Sequence, residues 1–365
     1  MFSRGEIVEG RNRRRRLVLL FVAILFAGIS LSGCQAGPGT PPANSGTPGH
    51  VFVINLENQG YDKVFGSTAA MPYLAGTLRS QGVLLTNYYG VAHDSLPDYL
   101  AQISGQPPNA STVKDCPTFT PFTPSGTDSQ GRLLGAGCVY PPDVPTVAGQ
   151  LTGAGKTWKG YMEDMQSPCL HPALGAPDDH RTATRADQYS THHNPFVYFR
   201  SITDSPDCTT NVVNYTALAT DLLTVNTTPN LSYITPNLCH DAHDSPCADG
   251  NPGGLGAADA WLKTAVPAIL DSPAFKQDGM LVITLDEADH GRMGPPNGVP
   301  GGTAGGQVGA LVLSPFSPQG GTSSQPYNHY SLLATMEDFF SVPRLAGAAE
   351  TGVMAFGADV YKSHA

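Results

Sequence analysis

Apolar and polar positions along the chain alternate in blocks. Residues 50–56 (HVFVINL), 231–235 (LSYIT), 280–285 (MLVITL) and 308–313 (VGALVL) are short apolar runs that read as strands. They are continuous rather than alternating, the pattern of strands covered on both faces. Residues 72–81 have helical spacing with a proline near the start, and 95–103 follow a polar turn. Residues 257–270 and 330–340 complete the helical set. These blocks predict an α/β fold with a central, mostly parallel sheet and helices on both faces.

The polar residues that end the strands carry the chemical information. Glu57-Asn58 follows the first strand, a segment from Asn237 to Asp244 follows the second, and Asp286-Glu287 follows the third. In open α/β sheets ligands bind at the carboxyl ends of the strands, so one edge is expected to gather all three groups. Glu57 and Asn58 offer oxygen ligands to a cation. The stretch NLCHDAHD packs His240, Asp241, His243 and Asp244 into five positions, which suits a metal-binding loop as well as a polar loop closed by a disulfide. Asp286 and Glu287 sit beside a buried edge, where two ionised acids call for a cation. Ser95 stands at a predicted helix start. That position serves a simple cap, but also a phosphate site lined by backbone N–H groups. His329 precedes the last helix, where it reads as a capping residue.

Charge and cysteines change the picture. Arg11 and Arg13 to Arg16 precede an uncharged run, residues 17–31, that ends in Leu31-Ser32-Gly33-Cys34. At 15 residues the run is short of the roughly 20 a spanning helix needs. Its layout is that of a secretory signal peptide. The terminal LSGC resembles a bacterial lipobox, so residues 1–33 are expected to be removed and Cys34 to carry lipid. Residues 34–49, rich in Pro, Gly, Ser and Thr, read as a flexible tether. Residues 50–365 then form one catalytic domain. An ordinary signal peptide near Cys34 is the alternative. Removing residues 1–33 takes six of 20 Lys and Arg and two of 30 Asp and Glu, leaving a net charge of −14 with His neutral. So acidic a chain is a poor partner for nucleic acid. A phosphate-bearing substrate would need a local positive centre such as a metal ion.

Six cysteines remain: Cys116, Cys138, Cys169, Cys208, Cys239 and Cys247. An even set in an exported chain implies disulfides, and of the roughly 15 possible pairings the sequence-nearest are expected. Those are Cys116–Cys138, Cys169–Cys208 and Cys239–Cys247. No CxxC pair supports a zinc site.

Together, HVFVINLENQGYDKVFG, HDSLPDYLAQISG, PNLCHDAHD, LVITLDEADHG and YNHYSLLATMEDFF resemble the bacterial phosphoesterase family of secreted acid phosphatases and phospholipases C, within the alkaline phosphatase-like superfamily. Within that family the stretches TWKGYMEDM and HHNPFVYF are most similar to acid phosphatases acting as phosphatidylinositol-3-phosphatases.

The resemblance implies an alkaline phosphatase-like fold and Ser95 as a nucleophile that forms a phospho-enzyme. It implies Glu57, Asn58, Asp286 and Glu287 as ligands on one side of a divalent metal site of one or two ions (Ca, Mg, Zn or Mn). Asp241, His243 and His329 fall where a second metal or the phosphate would be held, with His243 and His329 also in line for proton transfer. His93, His193, Asn194 and Asn237 are expected to contact substrate. Glu287 departs from the Asp or His common in the superfamily, so the metal's identity stays open.

The expected substrate is a phosphorylated small molecule or a phosphoinositide, with the chain held at the outer membrane surface by its lipid or secreted. A phospholipase C-type diesterase is the alternative enzyme. Outside enzymes, the alternative is a lipid-tethered binding protein with structural Ca²⁺. A sulfatase is disfavoured, because Ser95-Leu96-Pro97-Asp98-Tyr99 lacks the arginine of C/S-x-P-x-R.

Overall fold

The apolar runs become buried strands because each has a hydrophobic neighbour on both sides. The computed structural model describes residues 48–67, 69–289 and 304–361. The expected signal peptide (1–33), Cys34 and nearly all of the tether lie outside these residues. Eight strands form the main sheet: β1 (His50–Leu56), β2 (Val83–Leu85), β3 (Trp158–Met162), β4 (Val212–Asn214), β5 (Leu231–Thr235), β6 (Gly279–Leu285), β7 (Ala310–Leu313) and β8 (Gly321–Ser323). Their spatial order is β8-β2-β7-β6-β1-β5-β3-β4. Five pairings are parallel, and the two antiparallel ones both involve β7. The sheet is thus mixed but mostly parallel, and helices flank it.

Strands β2, β3, β4 and β8 were not legible as apolar runs; three of them span only three residues. Strand β1 is buried from end to end, and Phe52 packs against Phe275 at 6.4 Å between ring centroids. Burying a side chain of this size contributes about 1.5–3 kcal/mol.

Three helices matter for the site. These are α1 (Ser95–Ser104), α2 (Gly254–Asp271) and α3 (His329–Phe340). All ten residues of α1 are buried, and it packs against α3. Asn328 caps α3, its side chain accepting from Ser331 N–H while Ser331 Oγ accepts from Asn328 N–H. The expected helix at 72–81 is irregular: a wide π-turn, Tyr73–Leu78, runs into a 3₁₀ turn, Arg79–Gln81. Asp259 on α2 anchors it by accepting from Tyr73 N–H and Leu74 N–H.

The three sequence-nearest disulfides are all present. Cys239–Cys247 closes the segment that carries Asp241 and His243, and closing a span of 8 residues is worth about 2–3 kcal/mol on loop entropy.

Candidate active site

Strands β6, β1 and β5 lie side by side and run parallel, with Leu56 opposite Leu285 and Ile54 opposite Ile234. Their carboxyl ends therefore share one edge, which collects Glu57-Asn58, Asp286-Glu287 and the 237–244 segment. Backbone bonds tie the three together: Glu57 N–H donates to Asp241 O at 2.7 Å and Asp286 N–H to Leu56 O at 3.0 Å. Gly90 lets the chain leading to α1 approach this edge, since a Cβ there would stand 2.6 Å from Asp286 O.

Ser95 is the first residue of α1. Its Oγ donates to Glu57 Oε2 at 2.8 Å, while Tyr99, one turn on, donates to Glu57 Oε1 at 2.7 Å. The preceding Asp94 has φ +86°, and Asn58 and Ala242 also have positive φ. Asn and Asp adopt that conformation more readily than other non-glycine residues, so the clearest strain is at Ala242. The amides at the head of α1 are partly engaged. Leu96 N–H donates to Asp115 Oδ1 at 2.9 Å, and Asp94 N–H donates to Glu287 Oε1 at 2.9 Å.

A pocket of about 280 Å³ opens over this edge. Its walls include Ser95, Glu57, Asn58, His193, His243 and Glu287, all singled out from the sequence, and also Asp115, Arg181 and His192, which were not. A larger cavity of about 640 Å³, lined by Tyr215, Trp261 and His240, lies beyond the 237–244 segment, away from the serine. The smaller one is the candidate active site on chemical grounds.

Acids crowd this edge of the sheet. Glu57, Asp241 and Asp286 are wholly buried. Burial first, then the charges of Asp286 and Asp241, drives the Glu57 pKa well above the usual carboxylate range. Burial raises Asp286 to about 6 and Asp241 to about 7. Glu287 is raised to about 9, by burial and then by the Asp286 charge. Among the described residues Asn58 Oδ1, Asp241 Oδ2 and Asp286 Oδ2 are buried with no hydrogen-bond partner. Three orphaned oxygens amid like charges are the environment a hard divalent cation satisfies, so the donor set fits a metal. The acids are not drawn tightly together. Among the described residues the one trio of ligand atoms within 4.8 Å is Cys239, Cys247 and Asp249, and its two cysteines are joined as a disulfide.

The histidines divide by environment. His193 stacks on Tyr99 at 5.2 Å, with Nε2 3.3 Å from Glu57 Oε1 and Nδ1 3.5 Å from Asp241 Oδ2. Burial, then the nearby His243 charge, lowers its pKa well below the ordinary value. Burial would also lower His243, but its Nδ1 bond to Asp244 (2.8 Å) and the charges of Asp241, Asp244 and Asp286 prevail and raise it. His93, expected to contact substrate, is not among the residues that line the pocket and instead meets one that does, its Nδ1 2.5 Å from Glu287 Oε2.

Three further expectations need correction. His329, expected as a metal ligand and proton donor, is fully buried behind Asp286. Its Nε2 lies 2.6 Å from Asp286 O, and its Nδ1 takes Tyr88 Oη at 3.0 Å and Gln102 Nε2 at 3.2 Å. Burial lowers its pKa to about 4, so the ring is neutral with its proton assigned to Nε2, and no lone pair faces the pocket. Asn194 points away from the pocket and donates to Tyr189 Oη at 2.9 Å. Asn237 shapes its own loop instead of meeting substrate. Its Oδ1 accepts from Cys239 N–H and His240 N–H, and its Nδ2 donates to Asp164.

His192, in the short 3₁₀ turn Thr191–His193, and Asp115 and Arg181, on loops, lie in segments without periodicity, so no periodic pattern marks them. The pair His192-His193 before Asn-Pro was the one usable signal, and only its second member was read.

The fold and site set a serine at a helix head against buried carboxylates, at the carboxyl edge of a mostly parallel sheet. The chain belongs to the Phosphoesterase family, whose signature matches residues 72–343. Similar curated proteins include a phosphate-repressible acid phosphatase of Penicillium chrysogenum, 28% identical over 87% of this chain and 66% of its own length. An acid phosphatase of Aspergillus fumigatus is 27% identical over 80% of this chain and 55% of its own. A phosphatidylinositol-3-phosphatase of Mycobacterium tuberculosis is 26% identical over 89% of both chains. The chain thus spans just over half to two thirds of the fungal relatives. Among solved structures, an alkaline phosphatase superfamily protein from Vibrio parahaemolyticus gives a TM-score of 0.49 at 14% identity, covering 82% of this chain and 67% of that one. That likeness is too remote to carry chemistry across.

Proposed function

We propose that the chain is an exported, metal-dependent phosphatase that hydrolyses phosphate monoesters through a phosphoserine at Ser95. The observation that carries this reading is the Ser95 hydroxyl, at the head of α1, donating to buried Glu57 at 2.8 Å on the wall of an acid-lined pocket. Ser95 Oγ bonds to phosphorus as its proton passes to the ionised Glu57 carboxylate, which already accepts that hydroxyl at 2.8 Å. The ester P–O bond breaks, and His243 at the pocket wall supplies a proton to the departing oxygen. Water then cleaves the phosphoserine, giving its proton to His243, while Glu57 returns a proton to Ser95. A divalent cation held by Asn58, Asp241 and Asp286, with Glu57 and Glu287 beside them, would offset the carboxylates and polarise the phosphoryl oxygens.

The name of the mycobacterial relative, aligned over nearly its full length, supports a phosphoinositide as one substrate class. A lipidated Cys34 would hold the enzyme at such a surface. Among the described residues no helix is long and apolar enough to cross a membrane.

The test is phosphate release from p-nitrophenyl phosphate, bis-p-nitrophenyl phosphate and phosphatidylinositol 3-phosphate by the purified chain, with and without EDTA. Chelator-sensitive turnover of monoesters is expected. Preference for the diester would move the chain to the phospholipase C side, and silence on all three would point to a binding protein.

A further inference from the structure

We propose that Arg181 selects terminal phosphate, its guanidinium receiving the non-bridging oxygen that a monoester has and a diester lacks; the inference rests on the phosphatase reading above. The candidate pocket is lined by five acids, Glu57, Asp94, Asp115, Asp244 and Glu287. Among the described residues lining it, Arg181 is the one Lys or Arg. A doubly charged phosphate entering such a wall meets repulsion from every acid, so a fixed cation decides whether the second charge is tolerated.

Arg181 is built to be that cation. One arm is committed, with Nη2 donating to Lys114 O at 3.0 Å, which fixes the plane of the fork. Its Nε is buried with no hydrogen-bond partner among the described residues, a donor awaiting an acceptor. Burial and then His193 lower the His192 pKa and the Arg181 charge adds to this, while at Asp115 it opposes a rise driven by burial; both are pocket residues.

The loop that carries Arg181 is pinned on both sides. Asp178 Oδ1 accepts from His180 N–H and from Thr191 Oγ1, and His180 Nδ1 lies 2.7 Å from Asp187 Oδ2. A pre-placed guanidinium loses little freedom on binding and can hold a phosphate oxygen with directional N–H bonds, which a lysine ammonium matches poorly. In a diester the same position faces an esterified oxygen that carries no charge. Recognition therefore falls on the number of charged oxygens, not on the leaving group.

The experiment measures kcat/KM of the wild-type enzyme, Arg181→Ala and Arg181→Lys on p-nitrophenyl phosphate and bis-p-nitrophenyl phosphate, together with inhibition by inorganic phosphate. Arg181→Ala is expected to lose roughly 10- to 100-fold on the monoester, to weaken phosphate inhibition in parallel, and to leave the diester within about threefold. Arg181→Lys is expected to fall between the two. Equal losses on both esters would assign Arg181 a structural or general role, and unchanged monoester kinetics would remove it from the site; either overturns the inference while the phosphatase reading stands. A wild-type enzyme that turns over neither ester overturns that reading, and this inference with it.

Discussion

The Ser95 hydroxyl and the Glu57 carboxylate meet at 2.8 Å, although 38 residues separate them in the chain. Glu57 follows the central strand β1 and Ser95 opens α1, so the pair joins a strand end to a helix head. Tyr99 holds the other Glu57 oxygen at 2.7 Å and keeps the carboxylate turned toward the serine. Replacing Ser95 by alanine removes the nucleophile and leaves the Tyr99 bond intact. Turnover of p-nitrophenyl phosphate should fall by roughly three orders of magnitude or more with the melting temperature little changed. Turnover within tenfold of wild type would dismiss Ser95 as the nucleophile.

The orphaned oxygens of Asn58, Asp241 and Asp286 predict a cation requirement. EDTA should abolish turnover and a divalent cation restore it. Asp286→Asn should raise the restoring concentration by roughly tenfold or more. The metal-free variant should nonetheless melt higher than the metal-free wild type, because one buried charge is removed from a repulsive cluster. A lower melting point for the metal-free variant would show that the acids are paired in a way this geometry lacks.

His329 offers a sharper contrast. With both ring nitrogens held by Tyr88, Gln102 and the Asp286 carbonyl, it acts as a strut under the acidic edge. His329→Ala should cost about 1–3 kcal/mol through unsatisfied buried partners, read by denaturant unfolding. The cation concentration for half-maximal activity should stay put; a large rise would restore His329 to the metal's ligands.

Far from the site, Glu337 on α3 sets part of the pH profile of stability. Its Oε1 accepts from Leu345 N–H at 3.0 Å, and burial raises its pKa from the ordinary 4.5 to about 9. The folded chain therefore holds a proton that the unfolded chain has released. The contribution is fully present below about pH 4.5 and is lost as pH rises through 9. Thermal unfolding across this window should show a decline that Glu337→Gln flattens. Parallel profiles for the two proteins would rule this source out.

Local patterns settled much of this protein. The continuous apolar runs at β1, β5, β6 and β7 could only be buried strands, and a strand's polar end marks where its chain leaves the core. Glu57, Asp241 and Asp286 were therefore legible, as were the disulfides, which join cysteines near in sequence. Tertiary structure decided the rest. It placed β6, β1 and β5 side by side, which brings their three acidic ends within reach of Ser95. It turned Asn194, Asn237 and His329 toward protein partners, and carried Arg181 and Asp115 on loops, and His192 on a short 3₁₀ turn, into the pocket. The physical reason is that a side chain's direction, and the company a loop keeps, depend on packing between segments distant in the chain. No local period encodes that.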